Sequence, residues 1–223
     1  MVRMIEPAFT LVTQEGRLGI EAQHRPEWKP VFADWTSAEM KRRIAGGKRQ
    51  LLARAVGLPR KPGLHVVDAT AGLGRDGFTL AALGARVTLV ERQPLVVALL
   101  RDALARVLAD GEPGLREAAS RVEIVEADAA QWLGSGLAAP DAVYLDPMYD
   151  DEGRRALPQK EMQLLRELNG GDPDAALLLS VARHRAARVA VKRPAKAPCL
   201  DAVRPAAVFE GTQARFDVYI GGT

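Results

Sequence analysis

From Leu64 onward, short apolar runs rich in β-branched residues alternate with stretches of helical periodicity. That alternation restricts the chain more than any other feature. It calls for an α/β fold, doubly wound around a mostly parallel sheet, with helices on both faces. Strands are expected in "LHVVDAT", "ARVTLVE", "RVEIVEAD", "DAVYLDP" and "RVAVKRP". Helices are expected in "GRDGFTLAALG", "PLVVALLRDALARVLAD" (with Pro94 at its start), "AAQWLGSG", "PQKEMQLLRELNG" and "PDAALLLSVARHRA". Two last strands, "AAVFEG" and "ARFDVYIGG", lie close together and imply an antiparallel hairpin at one edge.

The first 60 residues read differently, as a hairpin and basic helical extension before a main domain at 61–223. "FTLVTQEGRLGIEAQ" alternates polar and apolar residues about Gln14-Glu15-Gly16, a hairpin turn. "TSAEMKRRIAGGKRQLLARAVGL" is helical, capped by Thr36 or Ser37 and broken at Gly46-Gly47. Leu58 to Gly63 reads as a linker. No apolar run reaches 18 residues, and the N-terminus lacks the plan of a signal peptide. The single cysteine, Cys199, excludes an intramolecular disulfide, and the scattered His24, His65 and His184 form no metal set. A cytoplasmic protein without membrane or metal is expected. Net charge is only +3. Yet residues 41–60 hold seven Lys or Arg and 183–196 hold six, with no acid in either block. Such blocks suit a polyanion as well as they suit ordinary solvated helix faces.

The stretch "DATAGLGRDG" places Gly72, Gly74 and Gly77 in a G-x-G-x-x-G pattern between a strand and a helix, and Glu91 closes the next strand. This is a nucleotide-cofactor arrangement: glycines admit a ligand to the backbone, and the acid accepts ribose hydroxyls. A dinucleotide would bring a pyrophosphate to the helix N-terminus. S-adenosylmethionine brings an ammonium and a sulfonium instead. Asp68 and Asp76 flank the loop and suit the cation, while Arg75 can meet a carboxylate. Asp128, after the third strand, can accept from an adenine amine or simply cap the helix that follows.

The fourth strand ends in "YLDPMYD". A delocalised amine is a poor nucleophile. Hydrogen bonds to Asp146 and to the carbonyl of Pro147 would pull its nitrogen toward tetrahedral geometry, Pro147 would stiffen the turn, and Tyr149 would stack a flipped-out base. Positioning and the field of the carboxylate would supply most of the acceleration. Lys160 and Glu161 fall in the next helix, lining the site or merely solvated.

The segments "VVDATAGLGRDGF", "VERQPLVVALLRDAL", "VYLDPMY", "KEMQLLRELNG", "VAVKRP" and "RFDVYIG" resemble, in this order, the ribosomal RNA small-subunit methyltransferase J family. The resemblance runs from about Val31 to Gly221. It implies a Rossmann-like S-adenosylmethionine-dependent methyltransferase sheet and transfer of methyl to the exocyclic N2 of a guanine in 16S ribosomal RNA. By position it implies cofactor contacts at Arg75, Asp76, Glu91, Arg92, Asp128, Ala129 and Asp146. It also implies RNA contacts from the basic segment with Lys48 and Arg49, to which Lys160, Lys192 and Arg193 are added. Tyr149-Asp150 departs from the family's usual Phe-Pro, and the N-terminus is shorter than usual. On the residues alone, three alternatives stay open. They are an amino methyltransferase acting on DNA adenine or protein glutamine, a dehydrogenase, and a non-catalytic RNA-binding assembly factor.

Overall fold

Glu15 and Gly16 both adopt positive φ, 52° and 73°. Two consecutive left-handed residues make the turn whose twist matches a hairpin, and they join β1 (Phe9–Gln14) to β2 (Arg17–Ala22) with Gln14 opposite Arg17. The computed structural model describes residues 8–137, 139–148, 160–170, 174–212 and 214–221. A two-residue strand, β3 (Val31–Phe32), completes a three-stranded antiparallel sheet. It is too short to show a period of two in the sequence. α1 (Ala38–Ala45) begins at Ser37, whose hydroxyl accepts the N–H of Met40. The helical pattern breaks at the two glycines as expected: a 3-10 turn, Gly47–Arg49, separates α1 from α2 (Leu51–Val56).

The expected strands and helices then follow in order. They are β4 (His65–Asp68), α3 (Arg75–Ala82), β5 (Arg86–Glu91), α4 (Pro94–Asp110), α5 (Pro113–Ala119), β6 (Val122–Glu126), α6 (Ala129–Gly134), β7 (Ala142–Leu145), α7 (Lys160–Asn169), α8 (Ala175–Arg185), β8 (Arg188–Pro194), β9 (Ala207–Glu210) and β10 (Ala214–Ile220). Only α5 is unanticipated. Its seven residues include Pro113 and Gly114, which read locally as a turn.

The main sheet has the order β6-β5-β4-β7-β8-β10-β9. β4 to β8 are parallel, and β10 inserts between β8 and β9, antiparallel to both. Strand order therefore reverses at β4, which lies between β5 and β7. In open α/β sheets the ligand crevice opens there, beyond the carboxyl ends of the strands.

Two apolar layers cover the sheet. Val66, Phe78, Leu89, Leu100 and Tyr144 belong to one, Val67, Val90, Leu133, Val143 and Val191 to the other. Fully burying such a side chain contributes about 1.5–3 kcal/mol. Ile20, Trp35, Leu52 and Leu58, from the first 60 residues, sit in the first layer. Trp35 is fully buried, stacks on Phe78 at 4.6 Å and donates its indole N–H to the carbonyl of Leu73 at 2.9 Å. The N-terminal segment thus props the loop between β4 and α3. Among the described residues, no helix is long and apolar enough to cross a membrane.

Candidate functional site

β4 delivers Asp68 to the switch point, buried, with the N–H of Thr70 donating to its Oδ1 at 3.3 Å. Burial above all, then the charge of Asp76, pushes the Asp68 carboxyl up to about 8. The loop that follows uses its glycines for two different ends. Gly72 (φ 50°) has room where a side chain would begin, with only the Thr70 carbonyl in ordinary contact at 4.0 Å. Gly74 (φ 72°) does not: a Cβ there would lie 2.7 Å from Trp35 and 2.9 Å from Leu100. Gly72 is therefore the point of backbone approach, while packing and a left-handed backbone demand Gly74.

Glu91 ends β5 and is nearly buried. The N–H of Gly72 donates to one of its oxygens and the N–H of Gln93 to the other, each at 2.9 Å. Burial raises its carboxyl, and those backbone donors pull against the rise. Asp128 caps α6, accepting the N–H of Gln131 at 2.9 Å. Arg92 reaches Asp174 at 2.9 Å. Glu91, Arg92, Asp128, Ala129, Asp146 and Pro147 line one cleft with Gly72.

A second cavity adjoins it, sharing Thr70, Gly72, Asp146 and Met148. Its wall carries a charge network. Lys192 on β8 donates to Asp146 at 2.7 Å and to Asp76 at 3.2 Å. Asp76 also accepts from the Tyr144 hydroxyl at 2.6 Å and from Arg43 of α1. Burial favours the neutral acid at Asp76, but Lys192 and Arg43 outweigh it and hold the carboxyl below its usual range. At Asp146, burial and the nearby Asp76 win over Lys192, and the carboxyl is raised. Thr70 fixes the turn, its hydroxyl accepting the N–H of Asp146 at 2.6 Å.

The structure thus brings together Gly72, Glu91, Arg92, Asp128, Ala129, Asp146 and Pro147, with Asp68, Asp76 and Lys192 in the adjoining chamber. Arg75 lines that chamber too, paired with Glu161 of α7 at 2.7 Å. Tyr149 and the side chain of Lys160 lie outside the described residues. Arg193 and Lys48 are not brought to the site. Arg193 faces away from Lys192 on the same strand, is buried, and donates twice to the carbonyl of Pro198, at 3.0 and 2.6 Å. Its guanidinium clamps the loop that follows β8. Lys48, exposed, reaches toward Gly84 in the turn between α3 and β5, at the far end of the sheet, and Arg49 is exposed beside it.

Arg43 and Tyr144 escape a sequence reading. Arg43 is one of three consecutive basic residues, with nothing local to single it out. Tyr144 did offer a signal, as the one polar tip in the aliphatic run Ala142–Leu145.

A family model described as "Putative SAM-dependent methyltransferase" matches residues 3–221. The Ribosomal RNA small subunit methyltransferase J of Laribacter hongkongensis is 46% identical over 96% of this chain and 76% of that protein. The protein of the same name from Stutzerimonas stutzeri is 41% identical, over 97% and 84%. Among solved structures, a SAM-dependent methyltransferase from Neisseria gonorrhoeae superposes with a TM-score of 0.75 at 33% identity, covering 99% of this chain and 86% of that one. With its glycine loop, its Asp-Pro turn and a match over nearly its whole length, the chain belongs to the ribosomal RNA small subunit methyltransferase J family of S-adenosylmethionine-dependent methyltransferases.

Proposed function

We propose that this protein methylates the exocyclic N2 of a guanine in the 16S ribosomal RNA of the small subunit. The observation that carries the reading is the placement of Asp146. Its side chain lies where the two cavities meet, on a turn fixed by Thr70 and Pro147.

The acids around the first cleft, together with Asp68 in the adjoining cavity beside the shared Gly72, fit the cofactor. Asp68 is buried with its carboxyl pushed up to about 8, the mark of a negative charge that lacks a cationic partner. An ammonium or sulfonium beside it would lower that value. When bound, S-adenosylmethionine supplies an electrophilic methyl group on a cationic sulfur. Asp68 and the loop at Gly72 would hold its amino-acid end. Glu91 would take the ribose hydroxyls and Asp128 the adenine amine, with Arg92 and Ala129 lining the cleft.

Asp146 accepts a hydrogen bond from the target amine and turns its lone pair toward the cleft. As the new N–C bond forms, positive charge grows on that nitrogen, and the carboxylate stabilises it in place. The surplus proton leaves by way of Asp146. To do this the carboxyl must be ionised, and Lys192 at 2.7 Å favours that state. Asp-Pro serves amines in general, so the choice of small-subunit RNA comes from the relatives' names, and that of guanine N2 from the resemblance alone.

The test supplies tritiated S-adenosylmethionine to small subunits that lack the modification, beside naked 16S RNA and duplex DNA, with Asp146→Ala as control. Label in 16S RNA that digests to N2-methylguanosine, and is lost in the variant, is the expected result. Label on DNA or protein alone overturns the reading.

A further inference from the structure

We propose that Lys192 and Asp146 together read the pairing edge of the target guanine, Lys192 donating to O6 while Asp146 accepts from N1–H and from the amine to be methylated. The inference rests on the guanine-N2 reading above and adds a specificity-determining residue to it.

The sheet builds this pair. β7 and β8 run parallel, with Tyr144 beside Ala190 and Leu145 beside Val191. One step further sets Asp146 beside Lys192, and alternation along the strands turns Lys192 to the face that carries Tyr144. The ammonium then lies 2.7 Å from Asp146 Oδ2 inside the second cavity. It is held from behind as well. Asp76, 3.2 Å away, is itself fixed by Arg43 and by the buried Tyr144 hydroxyl. A lysine anchored by a braced carboxylate presents its charge at a defined place rather than on a loose stem.

The chemistry of the four bases selects among them. Guanine's edge offers an acceptor at O6, then donors at N1 and N2. Its complement is a donor followed by two acceptors. An ammonium beside a carboxylate supplies that series, the two carboxylate oxygens being the acceptors. Adenine would turn its amine to the ammonium and its N1 lone pair to the carboxylate, so both contacts repel. Cytosine has the same order of groups as the pair itself and clashes throughout. Uracil carries no amine. The pair therefore selects by repulsion as much as by attraction. Charge-assisted hydrogen bonds of this kind are also the strong ones.

The test compares guanine with 2-aminopurine at the position that wild-type enzyme labels, in small subunits reconstituted around a ligated 16S RNA. 2-Aminopurine keeps the N2 amine but lacks both O6 and the N1 proton, so it forfeits the contact to Lys192 and the N1 contact to Asp146; the Lys192 variants separate the first from the second. Rates are taken on each variant's own pH plateau, since Lys192 also favours the ionised Asp146. Wild type should prefer guanine by about 10²-fold or more, the scale on which losing a hydrogen bond to a buried charged donor is felt. Lys192→Met should lose on the order of 10²-fold on guanine, yet under about threefold on 2-aminopurine, with cofactor binding unchanged. Equal losses on both bases would overturn the proposal. Should Lys192→Met fail to fold, Lys192→Arg decides. It keeps a donor, so it should retain the preference for guanine, and loss of that preference overturns the proposal. Failure of the underlying reading looks different, because wild type would then yield no N2-methylguanosine at all.

Discussion

The two cavities that meet at Asp146 hold their carboxylates by opposite means. In the first cleft, backbone N–H groups hold Glu91 (from Gly72 and Gln93) and Asp128 (from Gln131), and, apart from Asp146 at the junction, only Asp174 pairs with a side-chain cation, Arg92, among the described residues. In the second, side-chain cations do it: Asp76 and Asp146 share Lys192, and Arg43 takes the far side of Asp76. Backbone donors carry no net charge, so the first cleft keeps a negative field suited to a cationic ligand. The second chamber pairs Asp76, Asp146 and Glu161 with Lys192, Arg43 and Arg75, and burial keeps the remaining acid among its described residues, Asp68, protonated up to about 8, so the chamber suits a neutral base. The difference separates binding from selection. The strongest test of it is Asp146→Asn, at the junction. Turnover should fall by on the order of 10²–10³-fold, as when one aimed electrostatic partner is lost. Cofactor affinity, measured by calorimetry, should change by less than about threefold. A parallel loss of affinity would show that the two cavities act as one.

Next in size is Gly74→Ala. The new methyl group would meet Trp35 and Leu100 and force an alanine to φ 72°. Left-handed backbone costs roughly 1–2 kcal/mol and overpacking about 1–3 kcal/mol. A loss of about 3 kcal/mol in urea unfolding is expected. Gly72→Ala carries only the backbone cost, so its stability should fall less. Its effect should appear in cofactor affinity, because Gly72 lines the cleft.

What the sequence reveals follows the same division. Glu91, Asp128 and the glycines are legible because their partners lie within a turn or at the end of the neighbouring strand, where spacing alone places them. Helix α4 is legible to the residue because Pro94 opens it and Gly111 follows it. Arg43 is not, since it meets Asp76 across 33 residues and only the packing of α1 on α3 brings them together. Arg193 and Lys192 are neighbours in one basic block, yet strand alternation sends one to the chamber and the other under its own loop. Composition treats them alike, and only register tells them apart. Lys48 and Arg49 share that fate, since a motif's nearness in sequence does not say at which end of the sheet it emerges.

Asp68 sharpens the electrostatic half of the comparison through pH. Its folded carboxyl is raised from 3.8 to about 8. Across that window the folded chain keeps a proton that the unfolded chain has released, so stability falls as pH rises and levels off above 8. Asp68→Asn removes the dependence and keeps an oxygen for the Thr70 N–H. Free of cofactor, the variant should melt about 5 °C higher than wild type at pH 8, with the gap closing near pH 4. Cofactor affinity should fall roughly tenfold at pH 8. A gap that grows toward acid would mean that Asp68 is ionised in the folded protein and already has a cationic partner.

The smallest expected effect tests whether the far end of the sheet belongs to the site at all. Lys48 and Arg49 are exposed near the α3–β5 turn, whereas Arg43 touches Asp76 within the chamber. Lys48→Ala and Arg49→Ala should each leave turnover within about twofold of wild type. Any loss should lie in RNA affinity, uniform across sequences, with the salt slope reduced by about 1 per charge removed. Arg43→Ala should do the reverse, lowering turnover about tenfold through Asp76 and Lys192 with little change in the salt slope. Filter binding at several salt concentrations, beside single-turnover labelling, separates the two patterns. A turnover defect from Lys48→Ala would place RNA-driven movement of the Gly47–Arg49 turn in the reaction, since no side chain at the far end of the sheet can reach the base while that turn stays where it is.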